Sequence, residues 1–452
     1  MKKKLLSVLL CTALVGTMMT GCSSKDSESK STSDVSTNTT SDSSKEEGNE
    51  TEAENKEVDL SLLIGSGASI DGIEAVCEAA KEKLGITIEI EKVGGGEDLD
   101  NIVKTRLASG DMADIIAYNS GSLLGTLNPS EYFYDLSNED FASTFDDTFK
   151  EAASVDDKLY GIPQGSTQCG AVLYNKEMYE KYNLEIPKTW DEFLANCEVL
   201  KNAGETAVIG SFGDAWTAQV PFLGDQYNVT KLNSYFAEDF EAGRAKYATD
   251  EGGLRSFEKM EDLIPYYNSD YLATSYDDGC EMLAEGKGAQ WFMLTSALGN
   301  IYNLYGDDVN KIGVFAIPGD DAEENGITVW QSHGFYANKN SDKVADVLRF
   351  FEFYVSEEGM DIYTAAQLPN GPFAIKGYQL PDNCYQAVKD MQADYFDVGN
   401  TALALEFQTS VKGANCASIC QELGSGQTTA AEAAAKYDQD CEKQAKQLGL
   451  SW

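Results

Sequence analysis

His333 is the only histidine in the chain, so an enzyme that needs a histidine base has one candidate residue. The sequence contains no GxSxG nucleophile elbow, no GxxxxGK[ST] phosphate loop and no HExxH zinc motif. The run Gly94-Gly95-Gly96 is followed by neither Lys nor Ser/Thr, and we interpret it as a flexible turn. The residue types therefore predict no catalytic residues, no metal site and no cofactor.

Ten cysteines are present, and their spacings match no zinc pattern. Cys416 and Cys420 are four residues apart and can share a helix face, and we interpret them as small buried residues rather than ligands. Disulfides remain open, because an exported protein can form them while an anaerobic source would leave the thiols reduced.

Polar and aromatic residues occur in loops that follow predicted strands, where open α/β sheets bind their ligands. Trp and Tyr rings can stack on the C–H face of a sugar, while Asn, Gln, Ser and Asp bond its hydroxyl groups. We therefore predict a site for a neutral polyol. Its candidate residues are Ser66, Gly67, Tyr118, Asn119, Gln164, Gln168, Asp214, Trp216, Ser296, Trp330 and His333. For Trp216 and Trp330, packing in the core is an equal alternative, and His333 could simply bond within its loop.

The elements that must position these loops alternate between strand and helix. Residues 59–64 and 86–90 have the pattern of strands, and the apolar stripe in 73–84 is typical of a helix between them. The alternation continues with predicted strands at 114–118, 208–212 and 289–294 and predicted helices at 99–108, 254–264 and 275–285. Two α/β units, each with a mostly parallel sheet, follow from this order.

The sequence predicts a capping box at the start of two helices. Thr189 and Glu192 predict one, in which the hydroxyl takes the N–H of Glu192 and the carboxylate takes the N–H of Thr189. Thr429 and Glu432 predict the second, at the start of the last helix. A short helix at 176–182 precedes the first box.

The amino terminus has the pattern of a secretory signal. Lysines at 2–4 precede an apolar run at 5–15 that is too short to span a bilayer. Met19-Thr20-Gly21-Cys22 follows and resembles a bacterial lipoprotein signal, which predicts that Cys22 is lipidated and becomes the mature amino terminus; an ordinary signal peptide with a coincidental Cys is the alternative. Residues 23–58 are polar and predict a disordered tether, with a reach on the order of 30 to 35 Å.

Charge narrows the choice of partners. Lys plus Arg number 34 against 75 Asp plus Glu, a formal charge of −41, so a basic patch for nucleic acid or anionic lipid is disfavoured. Membrane contact is expected only through the lipid anchor.

Five segments with recognisable motifs follow one another along the chain. The strongest is YNKEMYEKYNLEIPKTWDEF at 174–193. The others are RLASGDMADII at 106–116, DKLYGIP at 157–163, MLAEGKGAQ at 282–290 and KIGVFAIP at 311–318. In this order the five segments resemble the family 1 extracellular solute-binding proteins of bacterial ABC importers.

The resemblance implies a two-lobe periplasmic-binding-protein type II fold with a multi-strand hinge. It implies 59–165 with 311–369 as lobe 1 and 166–310 with 370–452 as lobe 2, after the signal at 1–22 and the tether at 23–58. The implied protein is a monomeric extracellular receptor, anchored to the outer face of the cytoplasmic membrane, that closes on a mono- or oligosaccharide and delivers it to the transmembrane subunits of an ABC permease. A non-sugar solute, either a polyamine or a peptide, and an extracellular enzyme acting on polysaccharide are the alternatives.

One departure from the family concerns the ligand. Members often carry GSW after the strand that corresponds to 289–294, with the Trp as a sugar platform, whereas this chain has Ser296 at that place. This leaves open a monosaccharide, a differently posed sugar or a non-sugar solute. Trp291 is expected to pack under the sheet, so we predict that Trp216, Trp330 or both supply the apolar face.

Overall fold

The computed structural model describes residues 57–66, 69–94 and 97–452. The strands of this part are β1 (Val58–Gly65), β2 (Ile86–Val93), β3 (Ile115–Tyr118), β4 (Ser154–Val155), β5 (Lys158–Leu159), β6 (Gly161–Pro163), β7 (Gln168–Asn175), β8 (Val208–Ile209), β9 (Gln290–Leu294), β10 (Ile312–Phe315), β11 (Ile327–Trp330), β12 (Gly334–Ala337) and β13 (Thr401–Leu403). The α-helices are α1 (Asp71–Leu84), α2 (Glu97–Ser109), α3 (Ser122–Gly125), α4 (Pro129–Tyr132), α5 (Asp147–Ala152), α6 (Lys176–Tyr182), α7 (Trp190–Asn202), α8 (Val220–Leu223), α9 (Gln226–Leu232), α10 (Phe236–Glu241), α11 (Glu251–Leu263), α12 (Tyr276–Ala284), α13 (Ala297–Tyr305), α14 (Val344–Tyr354), α15 (Glu357–Ala366), α16 (Gln386–Met391), α17 (Leu405–Gln408), α18 (Cys416–Gly424) and α19 (Ala430–Gln447). Short 3₁₀ helices occupy Asp140–Thr144, Ala215–Gln219, Ile264–Tyr266 and Gly306–Lys311, and Gln392–Phe396 forms a π-helical turn.

The first sheet has the strand order β2-β1-β3-β12-β6. β1 pairs in parallel with β2 and β3, and β12 pairs antiparallel with β3 and β6. Helix α1 packs on this sheet through the predicted stripe, because Ile73, Val76 and Ala80 recur on one face and are buried. The helix ends at Gly85, whose φ of 69° is a left-handed conformation that glycine adopts without strain.

The second sheet has the order β13-β11-β7-β9-β8, and β10 also pairs with β7. The eight-residue strand β7 lies at its centre. One edge of β7 pairs with β9, and the other pairs with β11 at its start and with β10 towards its end. All three of these pairings are antiparallel, while β11 with β13 and β8 with β9 are parallel.

Three expectations are corrected by the structure. Both sheets are mixed rather than mostly parallel, because the strands that enter a sheet from the other sheet run against their neighbours. The expected boundary at 311 is also shifted, since β10 and β11 pair with β7 of the second sheet and only β12 joins the first. The strand expected at 208–212 is only the two residues of β8.

The two predicted capping boxes differ in outcome. At Thr429 both hydrogen bonds form, as predicted. At Thr189 the hydroxyl accepts from the N–H of Glu192 at 3.2 Å, but the Glu192 carboxylate accepts from the N–H of Lys188 at 2.8 Å instead of that of Thr189. Thr189 forms a parallel bridge with Gly319, so a neighbouring loop shares in fixing this helix start.

A buried ion pair holds α11 against Asp225, the residue before α9, and the same lysine also bonds the segment that follows β10. Lys259 Nζ donates to Asp225 Oδ1 at 2.7 Å and to the carbonyl of Pro318 at 2.8 Å. Both side chains are almost completely buried, at 4% and 1% exposure. A buried pair that loses one partner leaves an uncompensated charge, so this contact is sensitive to substitution.

The cysteines of the described residues are all free and buried, including Cys416 and Cys420. Burial raises the pKa of the Cys197 and Cys441 thiols to about 12, which disfavours the reactive thiolate. Among the helices described, none is long and apolar enough to cross a membrane. Cys22, residues 23–56 of the predicted tether and Gly67 lie outside the described residues. Val58, expected as the last residue of the tether, instead opens β1.

Candidate functional site

Two chain segments cross side by side from one sheet to the other, and a third segment lies beside them. Residues 164–167 lead from β6 to β7, residues 331–333 lead from β11 to β12, and residues 367–373 lie beside the first of these. The N–H of Gln164 donates to the carbonyl of His333 at 2.9 Å, which joins the first two segments. The N–H and the hydroxyl of Thr167 both donate to the carbonyl of Pro372 at 2.8 Å, which joins the third. These segments form the floor of the candidate site.

Four of the predicted site residues lie on this floor. Gln164 and His333 are adjacent through the backbone bond above, and Gln168 pairs with Trp330 in the β7–β11 ladder. Trp330 is half-buried, with its indole ring against Gly170; a Cβ at that glycine would come within 2.6 Å of the ring. The absence of a side chain at Gly170 therefore makes room for the tryptophan.

His333 is solvent-accessible, yet the protein around it desolvates the imidazole and lowers its pKa. A side chain that keeps accessible surface while surrounded by protein atoms lies in a concave part of the surface. The lowered pKa favours the neutral imidazole, which can both donate and accept a hydrogen bond.

The first-sheet side of the floor carries Asn119 and Ser120. The Ser120 hydroxyl donates to the carbonyl of Ser332 at 2.9 Å, and the Tyr336 hydroxyl donates to the carbonyl of Asn119 at 3.1 Å. These bonds hold the loop after β3 against the crossing segment 331–333.

An aromatic group lies beside the second sheet. Trp216 is 40% exposed, and its ring lies 5.3 Å from that of Tyr276, which in turn lies 5.4 Å from the buried Trp291. Asp214 accepts from the N–H of Tyr276 at 2.7 Å and so fixes the start of α12. Trp216 therefore presents an open ring surface supported from beneath, and Trp291 packs in the core as predicted.

Ser296 lies where β9 gives way to α13 and is half-buried. Its neighbour Thr295 exchanges hydrogen bonds of 3.0 Å with the backbone of Cys169, next to Gln168. Asn370 packs against Gly299 on the same helix. Ser296 is thus close to the floor.

Two predicted residues do not join this group. Tyr118 is fully buried and its hydroxyl donates to Asp100, so the structure corrects the expectation that its ring faces a ligand. Residues on a strand alternate between faces, and the last residue of β3 points into the core. Ser66 is exposed, and its backbone N–H donates to the carbonyl of Val93 at 2.7 Å.

The prediction missed a hydrogen-bonded chain at the start of α5. Gln331 Nε2 donates to Thr148 Oγ1 at 2.6 Å, and that hydroxyl donates to Asp146 Oδ1 at 2.9 Å. The second carboxylate oxygen of Asp146 and the amide oxygen of Gln331 are buried without a partner, as are the amide oxygens of Gln164 and Asn370. Burial raises the pKa of the Asp146 carboxyl. A contact across 183 residues leaves no local sequence signal.

The two sides of the molecule also touch beyond the floor. The Ser122 hydroxyl donates to the carbonyl of Glu406 at 3.0 Å, and Gly121 lies against the backbone of Phe407. A cavity of about 410 Å³ beside this contact is lined from both sides, and Glu151, Glu238 and Glu241 contribute carboxylates to it. Desolvation raises the pKa of Glu151 and Glu241.

A larger cavity of about 560 Å³ lies elsewhere, among α9, α11 and the loop after Pro318. Its cations are already paired: Lys259 with Asp225, Arg255 with Asp320 and Lys231 with Glu324. We place the candidate site at the floor, where buried polar atoms lack partners. The described residues contain no group of His, Cys, Asp and Glu arranged to hold a metal ion.

The protein has two sheets that are joined by short crossing segments, and polar side chains lie along these segments. This arrangement is that of a two-lobe solute-binding protein. The family model described as bacterial extracellular solute-binding protein matches residues 66–361, more than half of the chain. The chain therefore belongs to this family, and the resemblance predicted from its sequence is confirmed. The family consists of receptors of ABC transporters and not of enzymes.

Curated relatives and a solved structure agree with this assignment. The multiple sugar-binding protein of Streptococcus mutans is 23% identical over 298 residues, which cover 63% of this chain and 68% of that protein. The melibiose/raffinose/stachyose-binding protein MelE of Bacillus subtilis is 21% identical over 341 residues, 71% of this chain and 75% of that protein. The apo-form of RafE from Streptococcus pneumoniae superposes with a TM-score of 0.71 at 19% identity, covering 87% of this chain and 98% of that one. At this identity the structural likeness shows the two-lobe fold alone.

Proposed function

We propose that the protein is an extracellular receptor that captures a carbohydrate between its two lobes and delivers it to an ABC permease. The observation that carries the proposal is the floor. Its three segments carry Gln164, Gln331 and Asn370, whose amide oxygens are buried and have no donor among the described residues. Sugar hydroxyls supply such donors, and Trp216 and Trp330 offer ring faces for the C–H side of a sugar.

The names of the relatives support a sugar over other solutes. Two curated relatives are named for multiple sugars and for melibiose, raffinose and stachyose. Lobe closure is supported by the two crossing segments 164–167 and 331–333, since segments of a few residues that connect two packed units are the usual hinges of such proteins. Lobe 1 then comprises the elements on the first sheet and lobe 2 those on the second.

A ligand panel tests the proposal. We expect a mono- or oligosaccharide to raise the melting temperature of the full chain, because a ligand at 100 times its dissociation constant adds about 2.7 kcal/mol to the unfolding free energy. Polyamines and short peptides belong in the same panel as the competing solutes. Stabilisation by one of these, with every sugar silent, would contradict the carbohydrate proposal.

One observation favours a polyamine as the second candidate. Glu151, Glu238 and Glu241 line the cavity beside Gly121, and among the described residues none of the three has an ion-pair partner. Carboxylates without cations attract an amine. A polyamine that stabilises the wild type but not Glu151→Gln would support this candidate.

We further propose that the chain is held at the outer face of the cytoplasmic membrane by acyl groups on Cys22, as a monomer on a tether that spans 23–58. The charged, apolar and Gly-Cys sequence of the signal supports this. A tether with a reach on the order of 30 to 35 Å would hold the receptor clear of the headgroups while it docks to permease subunits.

A further inference from the structure

The two lobes touch where residues 121–122 meet residues 406–407, and no ligand takes part in this contact. The cavity of about 410 Å³ beside the contact has walls from both lobes. Glu151 of α5 lies on the first-lobe wall, and Glu238 and Glu241 of α10 lie on the opposite wall. We call this space the acidic cavity. Its carboxylates come close to the other lobe only while the lobes are in contact.

The acidic cavity has no counter-charge. Among the described residues that line it, none is a lysine, an arginine or a histidine, and none of its three glutamates forms an ion pair. The cations of the surrounding elements have other partners: Lys150 donates to the carbonyl of Ser143 at 3.5 Å, Arg244 to Asp239 at 2.7 Å and Lys412 to Glu406 at 2.9 Å. The glutamates are therefore uncompensated when they are ionised.

The other charged groups of these elements lie outside the lining. Helix α3 carries no charged residue. On α5, Asp147 accepts from Lys376 at 2.8 Å, and the turn after β4 carries Asp156 and Asp157, neither of which lines the cavity. Asp239 of α10 and Glu406 of α17 are held by the cations named above. Glu151, Glu238 and Glu241 are thus the groups whose protonation changes the charge of the cavity wall.

Contact between the lobes desolvates two of these carboxylates. Glu151 keeps accessible surface, yet the protein around it raises its pKa by desolvation, and the same cause raises the pKa of Glu241. With the lobes apart, water hydrates both groups and their pKa returns towards the ordinary value for glutamate, about 4.3. The joined form therefore binds protons more tightly than the separated form. It gains stability as the pH falls and loses it as the pH rises through the raised pKa values.

We propose that the contact between the lobes is a pH-sensitive latch, in which Glu151 and Glu241 take up protons as the lobes come together. Acidic surroundings favour the joined form, and at neutral pH the dehydrated carboxylates oppose it. A protonated carboxyl can donate to acceptors on the same walls, which include Ser154, Ser234 and Gln408. The latch acts in the free protein, so it does not depend on which solute the protein binds.

Small-angle scattering of the ligand-free full chain in amine-free buffer tests the latch. We expect the radius of gyration to fall as the pH is lowered from about 8 to about 5, a range in which the raised carboxyls gain protons. The double variant Glu151→Gln/Glu241→Gln replaces both groups by neutral side chains of the same shape. It should be more compact than the wild type at the higher pH and should lose most of the pH-dependent change.

A second double variant, Glu82→Gln/Glu352→Gln, is the matched control. It removes the same two negative charges from exposed positions outside the cavity, so it reproduces any change in the general repulsion within a chain of formal charge −41. We expect it to respond to pH as the wild type does. A wild type whose radius does not change with pH overturns the proposal, as does a cavity variant that responds like the control.

An NMR titration of the Glu151 carboxyl, assigned by its loss in Glu151→Gln, reads the latch directly. A Cβ on Gly121 would lie 2.6 Å from Phe407 Cα, whereas a Cβ on Gly110 meets nothing within 4 Å. Gly121→Ala therefore separates the lobes and Gly110→Ala does not. We expect Glu151 to titrate at a lower pH in Gly121→Ala than in Gly110→Ala. If Glu151 titrates at the same pH in both variants, its desolvation does not come from the other lobe and the latch is refuted.

Discussion

The contact between Gly121 and Phe407 predicts how a single methyl group should separate the two sides of the protein. Gly121 has a φ of +75°, and a Cβ there would lie 2.6 Å from Phe407 Cα and 2.7 Å from its carbonyl oxygen. Gly110 has nearly the same φ, +76°, with nothing within 4 Å of the added atom. Both alanine variants therefore carry the cost of a positive φ. This cost is larger at Gly121, because its ψ of −146° lies in a region that essentially only glycine adopts, and only Gly121→Ala adds the clash.

Overpacking of this kind costs about 1 to 3 kcal/mol when the neighbours cannot yield, and here they are backbone atoms. This free energy lowers the population of the conformation in which the two segments touch by a factor of about five to 150. We expect Gly121→Ala to show a larger radius of gyration by small-angle scattering than Gly110→Ala, or a lower unfolding free energy by denaturant titration. If the two variants match in scattering and in unfolding, the contact does not hold the two sides together.

Four further perturbations follow, three from the structure and the last from the sequence of the signal. Lys259→Met leaves Asp225 buried without its partner and should lower the unfolding free energy by about 3 to 5 kcal/mol in denaturant titration; a change below 1 kcal/mol would mean that water reaches the carboxylate. Trp216→Ala should weaken sugar binding by about 1 to 3 kcal/mol, about tenfold to more than a hundredfold, with little change in melting temperature because the ring is 40% exposed. Trp330→Ala should lower both affinity and melting temperature, since its ring packs on Gly170; intact affinity in the folded fraction would make it a core residue only. Cys22→Ala should release the protein from membranes, and continued membrane association would refute the lipid anchor.

Local patterns predicted the helices well because their signals lie within a few residues. The stripe in 73–84 became the buried face of α1, and the box at Thr429 formed both of its bonds. The partial box at Thr189 shows the limit of such patterns. The Glu192 carboxylate accepts from the N–H of Lys188 instead of that of Thr189, and a bridge to Gly319, 130 residues further along the chain, helps to position this helix start.

Long-range pairing could not be predicted in the same way. A strand pattern gives no direction and no partner, so β10 and β11 were expected with the first sheet although they pair with β7. For the same reason Tyr118 was placed in the site by its position after a strand, whereas the alternation of β3 turns it into the core. Gln331 meets Thr148 only because the fold brings the start of α5 to a crossing segment.

Hydrogen–deuterium exchange with and without the stabilising sugar tests most directly where the protein binds its ligand. When sugar is bound, we expect the backbone amides to exchange more slowly in the crossing segments 164–167 and 331–333, in the loop 213–217 and at 405–408. Unchanged exchange in these segments, with protection around the cavity lined by Lys231, Arg255 and Glu324, would contradict a site between the two sheets.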